Sequence, residues 1–132
     1  MRLIYVLLTY LLAPFFIAFE TWQAITRPEY RGRLGQRLGF VPRAAEPGCV
    51  WLHAVSVGEV QAAAGLVQEL RRRHPGLALV VSTVTPTGAQ RARVLFKDTV
   101  QHCYLPYDLP GSVRRFLDRV APEVAIILET EI

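Results

Sequence analysis

The stretch His53-Ala-Val-Ser-Val-Gly-Glu59 sets a hydroxyl, a flexible backbone position and a carboxylate within one turn of each other, at the head of a segment with helical apolar spacing. A carboxylate there can act as a general base, because the positive end of a helix favours its ionised form. Gly58 would let a ligand approach the backbone closely. The same spacing also fits a capping box, with Ser56 capping the helix and Glu59 bonding back. A second group is Val84-Thr-Pro-Thr-Gly88. Thr85, Thr87 and Gly88 there suit either anion binding through helix N-terminal amides or a capped turn with proline in the first turn. The third is Glu129-Thr-Glu131. If the chain is still extended there, both carboxylates project to one side, where they can hold substrate hydroxyls, tune a proton relay or pair with arginine. His53 reads as a packed strand histidine, and Asp108, just ahead of Pro110, as a helix cap. Neither GxGxxG nor GxxxxGK[ST] occurs, so the phosphate cradles of dinucleotide and P-loop proteins are not indicated. His74 and His102 lack metal-ligand spacing.

These groups need elements to position them. Apolar runs at roughly 49–55, 77–83, 100–105 and 124–128 read as strands. Segments at 57–73, 88–97 and 111–120 carry apolar residues at a 3.6-residue period and read as helices. Strict alternation of strand and helix predicts right-handed crossovers and a parallel sheet, hence an α/β fold. All strand exits then share one edge, which is where ligands bind in such sheets. The chain stops just after the fourth strand, with no helix or polar tail to cover the sheet, and reads as the front part of a longer protein.

Residues 3–19 contain no charge, and with Tyr5, Tyr10 and Trp22 as interfacial anchors they read as a membrane-anchor helix over 1–22, kinked at Pro14. Whether it spans the bilayer or lies half-embedded is open at this stage. A basic connector, 23–48, follows. Arg31 to Gly39 suggests a short helical turn within it, either a solvated linker or a contact for lipid headgroups or phosphate. Residues 1–48 hold six Arg against three Glu, whereas the remainder is nearly balanced, with nine Lys and Arg against eight Asp and Glu. The basic excess thus lies beside the apolar run, and the positive-inside rule places the domain at 49–132 in the cytoplasm. No basic stripe interleaved with aromatics suggests nucleic acid as a partner. The two cysteines, Cys49 and Cys103, sit apart in apolar runs and read as buried thiols.

His53-Ala-Val-Ser-Val-Gly-Glu59, Thr83-Val-Thr-Pro-Thr-Gly88, Tyr104-Leu-Pro-Tyr-Asp-Leu-Pro110 and Glu129-Thr-Glu-Ile132, in this order and spacing, closely resemble the N-terminal half of bacterial 3-deoxy-D-manno-octulosonic acid (Kdo) transferases. The resemblance covers essentially the whole chain. It implies a Rossmann-like N-terminal domain of a GT-B glycosyltransferase that binds the acceptor, a lipid A precursor such as lipid IVA, at the inner membrane. The donor CMP-Kdo would be held by a C-terminal domain outside this chain. It implies Glu59 as general base and Glu129 as a second essential acid. Ser56, Gly58, Thr85, Thr87, Gly88 and Glu131 become expected substrate-binding residues. The implied reaction inverts configuration, with no metal and no cofactor besides the donor. The other reading of the residues is a membrane-anchored α/β binding module without catalysis.

Overall fold

The computed structural model describes residues 1–129, so Glu131 lies outside the described residues. Helix α1 runs Arg2–Thr26, with Pro14 inside it. A 3-10 turn, Pro28–Tyr30, and the short helix α2, Arg33–Arg37, follow. Strand β1 (Cys49–Ala54), helix α3 (Val57–Arg73), β2 (Leu79–Thr83), α4 (Pro86–Phe96), β3 (Gln101–Tyr104), α5 (Pro110–Val120) and β4 (Pro122–Leu128) complete the chain. Helix α4 starts two residues earlier than its periodicity suggests. Thr85 caps it by accepting from Gly88 N, and Pro86 occupies the first turn, where its missing N–H costs nothing. Strand β4 likewise begins at Pro122, tolerated because this is an edge strand.

The sheet is parallel in the order β3-β2-β1-β4. Each strand is apolar because both faces of the central pair are covered. Under α3 and α4, Leu52, Ala54, Leu79 and Val81 meet Val60, Ala63, Val67 and Phe96. On the opposite face Cys49, Val80 and Cys103 meet Phe116 and Val120 of α5 and Val41 of the connector. The crossovers through α3 and α4 therefore lie on one face and the crossover through α5 on the other. The winding reverses between β1 and β4, which makes that gap the topological switch point.

The connector packs on the domain in part, while Arg27, Arg31 and Arg43 stay exposed. Val41 is 1% exposed. Its carbonyl accepts from Arg119 Nη1 at 3.2 Å, and Leu38 O accepts from Arg115 Nε at 3.0 Å. Gly39, at φ +91°, turns the chain so tightly onto α5 that a Cβ there would stand 2.3 Å from Ser112 O. Composition alone reads this segment as loose, because its partners lie some 70 residues further on.

Candidate functional site

Helix α3 starts where β1 ends because Gly58 and a polar Ser56 interrupt the apolar run. The contacts differ from those of a capping box. The Ser56 side chain makes no cap bond and is exposed, whereas the Glu59 carboxylate accepts from the backbone N–H of Val55. Glu59 is half-buried at the mouth of β1. Gly58 is exposed, and no atom lies within 4 Å of where its Cβ would be, so the backbone of the first turn is open to approach.

The next exit is tied to the first. Val84 N donates to Val55 O at 3.5 Å, and a Cβ on Gly88 would meet Val55 O at 3.5 Å and Thr85 Oγ1 at 3.0 Å. A Cβ there would press on the Thr85 hydroxyl that caps α4 and only touch the β1 loop. Thr85 Oγ1 accepts from Gly88 N at 3.1 Å and from Thr87 Oγ1 at 3.3 Å. Thr87 lines a cleft of about 220 Å³ with Val57, Gln90 and Arg91, which places a guanidinium and a hydroxyl beside the head of α3. At the last exit, β4 aligns His53 with Ile127 and Ala54 with Leu128. Glu129 therefore follows β4 at the level where the chain leaves β1, and it is exposed. Glu59 and Glu129 thus flank the switch point from its two sides.

His53 is 7% exposed and backs this edge. Its Nδ1 lies 2.8 Å from Ser82 Oγ and 3.2 Å from Ser82 O, while Trp51 Nε1 donates to the same hydroxyl at 2.8 Å. The Ser82 hydroxyl thus bridges the indole and the imidazole. Burial lowers the His53 pKa, opposed in part by its bond to Ser82 and by the negative Glu59 nearby. The ring is neutral at pH 7.

Two arginines that local patterning does not reveal complete the edge, beside Tyr107, whose place past the exit of β3 is legible in the sequence. Arg33, 6% exposed, pairs with Glu20 of α1 and donates from Nη2 and Nε to Val84 O at 2.6 and 3.1 Å. Its guanidinium also lies 5.5 Å from the ring centroids of both Tyr30 and Tyr104. Arg37 donates to Leu105 O at 2.6 Å and stacks 4.2 Å above the Tyr107 ring. Burial and the adjacent Arg33 lower the Arg37 pKa, though the group stays charged. Tyr107 donates to Glu20 Oε1 at 2.7 Å, and burial plus that bond push its pKa up to about 12. Asp108 is not a helix cap. Leu109 occupies the cap position of α5, and Asp108 instead accepts from the Tyr5 hydroxyl of α1. Only the run of arginines in 27–43 hinted at Arg33 and Arg37, and nothing in their spacing indicated which would be buried.

A family model described as 3-deoxy-D-manno-octulosonic-acid transferase (kdotransferase) matches residues 32–132. The chain is 41% identical over 133 residues to the 3-deoxy-D-manno-octulosonic acid transferase of Haemophilus influenzae, covering 99% of this chain and 31% of that protein. It is 42% identical over 110 residues to the Bordetella pertussis protein of the same name, covering 80% of this chain and 24% of that one. The Chlamydia trachomatis serovar D transferase is 33% identical over 98 residues, covering 74% and 22%. No solved structure matches. The chain spans under a third of the length of these relatives, and the family match begins at Gly32, just before the packed connector. On this match the chain belongs to the 3-deoxy-D-manno-octulosonic-acid transferase family.

Proposed function

We propose that this chain is the acceptor-binding part of an inverting GT-B glycosyltransferase that moves Kdo from CMP-Kdo to a lipid A precursor in lipopolysaccharide core biosynthesis. The observation that carries the reading is the placement of Glu59 and Glu129 on either side of the switch point, the place where ligands enter sheets of this class. Glu59 takes the proton from an acceptor sugar hydroxyl as that oxygen attacks the anomeric carbon of Kdo. The bond from that carbon to the CMP phosphate oxygen breaks, CMP leaves with the electron pair, and configuration inverts. Glu129 holds acceptor hydroxyls or tunes the relay from the opposite side. Ser56, Gly58, Thr85, Thr87 and Gly88 line the approach, and Glu131 follows Glu129 in the same motif. The reaction as proposed needs one base and close positioning, with no metal or cofactor beyond the donor. The donor is held by sequence outside these 132 residues.

The acceptor is a membrane lipid, and α1 supports that destination. It is 25 residues long, and only 6% of its most apolar window is buried; Leu3, Leu7, Leu11, Phe15, Phe19 and Ile25 are all exposed. It also touches the domain along its length, from Tyr5 on Asp108 through Phe16 against Tyr107 at 5.7 Å to Glu20 on Arg33. Those contacts span about 22 Å at 1.5 Å per residue. A spanning α1 would carry Asp108 and its neighbours into hydrocarbon, so the reading places α1 in the plane of the cytoplasmic face of the inner membrane.

The test is Glu59→Gln in the full-length protein, supplied with CMP-Kdo and a lipid A precursor. A glutamine oxygen still accepts from Val55 N–H, so the fold is kept while the base is lost. The expected outcome is a fall in kcat of about 10²–10⁴. Wild-type turnover by this variant would refute the assignment of Glu59 as base. The bond from Val55 favours a second reading, in which Glu59 only pins the chain just ahead of α3; that reading predicts a loss of stability for Glu59→Ala with unaltered kcat.

A further inference from the structure

Glu20 ends the charge-free stretch of α1, yet it is 4% exposed and turned into the protein, away from the face that the apolar residues present. Its Oε1 receives Arg33 Nη1 and the Tyr107 hydroxyl together, and its Oε2 is buried with no hydrogen-bond partner among the described residues. Burying a carboxylate with one oxygen unsatisfied is costly, and an apolar residue would fill this position in α1 at lower cost. What the charge achieves is a counter-ion for the buried Arg33. Arg33 continues from Glu20 to Val84 O in the loop that leads into Thr85, and Arg37 continues from Tyr107 to Leu105 O at the exit of β3. Val84 in turn is bonded to Val55, whose N–H holds Glu59. One chain of polar contacts thus runs from the lipid-facing helix through two strand exits to the candidate base.

We propose that Glu20, Arg33 and Tyr107 form a strut that fixes the attitude of α1 relative to the β1 and β2 exits, so that an acceptor resting in the bilayer meets Glu59 at a set height and angle. All three act as positioning residues. The proposal rests on the glycosyltransferase reading above. A misplacement of about 1 Å at a reacting centre is enough to cost a large factor in rate, and a helix joined to the domain only by apolar contacts and one Tyr5–Asp108 bond would permit such a shift.

The test uses the full-length enzyme with CMP-Kdo and two acceptors, a lipid A precursor in phosphatidylethanolamine–phosphatidylglycerol vesicles and a deacylated, water-soluble analogue. Glu20→Gln should lower kcat and kcat/KM for the vesicle-borne acceptor about tenfold while kcat and KM for the soluble analogue stay within twofold. Tyr107→Phe should act in the same direction with a smaller effect. Equal losses on both acceptors, or no loss on either, would overturn the strut. A second readout is independent of catalysis. Spin labels at Leu11→Cys and Glu123→Cys, both exposed positions, should give one narrow distance distribution that broadens when Glu20→Gln is added; an unchanged distribution overturns the proposal. Wild-type enzyme that transfers Kdo to neither acceptor would refute the glycosyltransferase reading, and the distance measurement would then decide the strut on its own.

Discussion

Replacing Gly39 by alanine should be among the most damaging single-methyl changes in the chain. The new Cβ would lie 2.3 Å from Ser112 O, 3.1 Å from Ser112 C and 3.0 Å from Arg115 Cβ. The first contact is with backbone inside α5, so relief requires the connector to move outward by about 1 Å, the overlap that a normal carbon–oxygen contact excludes. That movement pulls on Arg115 Nε to Leu38 O at 3.0 Å, Ala44 N to Arg119 O at 3.0 Å, and the stacking of Arg115 on Phe40 at 4.7 Å. It also loosens Val41, which is 1% exposed. Overpacking of this kind costs about 1–3 kcal/mol. Holding alanine at φ +91° adds about 1–2 kcal/mol. The reduced freedom of the unfolded chain returns about 0.4–1 kcal/mol, so the net loss is about 1–5 kcal/mol. Gly35→Ala is the control. It sits within α2, has an ordinary φ and meets nothing within 4 Å, so it should stabilise by about 0.5–1 kcal/mol. Urea unfolding in mild detergent, followed by the fluorescence of Trp51 packed edge-on to Phe116 at 5.0 Å, reads both. A loss below about 1 kcal/mol for Gly39→Ala would refute the close approach of connector and α5.

His102 makes stability depend on pH. Burial, reinforced by Arg93, lowers its pKa from 6.5 to about 4, so the folded protein keeps it neutral while the unfolded chain protonates it below 6.5. The unfolded state binds more protons in that window, so stability present above pH 6.5 is lost as the pH falls towards 4; at pH 5 the loss from this group is about 2 kcal/mol. Comparing wild type with His102→Gln in denaturant titrations at pH 7 and pH 5 should show a difference of that order, and identical pH responses would refute it. Cys49 and Cys103 are each 1% exposed, and burial pushes the Cys103 thiol up to about 12 and raises that of Cys49. Both should resist a thiol reagent at pH 8 until the protein unfolds, as mapped on the peptides that contain them; labelling under native conditions at the rate of a free thiol would contradict their burial.

The regular elements were legible because their signals are local. The apolar run into Ser56 and the period from Val60 to Leu70 mark β1 and α3 almost to the residue. The parallel sheet follows from strict alternation, but the order β3-β2-β1-β4 does not, since local pattern carries no information on which way the winding turns after β3. The strand-exit residues could be named from sequence, yet the division of labour among them could not. Ser56 and Glu59 have capping-box spacing, and only the geometry shows that the carboxylate bonds to the N–H of Val55 while the hydroxyl stays unused as a cap. Arg33 and Glu20 were hidden for another reason. Each looks like a surface charge among its neighbours, and their burial depends on partners 51 and 87 residues further along the chain, Val84 and Tyr107.

That separation has a consequence in time. Synthesis runs from the N-terminus at about 5–20 residues per second. Helix α1 therefore exists before anything can satisfy Glu20. Arg33 emerges shortly after it, but Tyr107 trails Glu20 by 87 positions, a delay of about 4–17 s. During this interval the carboxylate must remain hydrated, while the apolar residues before it already seek lipid. If α1 lies on the bilayer as proposed, a helix in that condition rests at its surface, because the carboxylate stays in water. The later strands then dock onto a helix already formed, and the arrival of Tyr107 completes the contacts that fix its attitude.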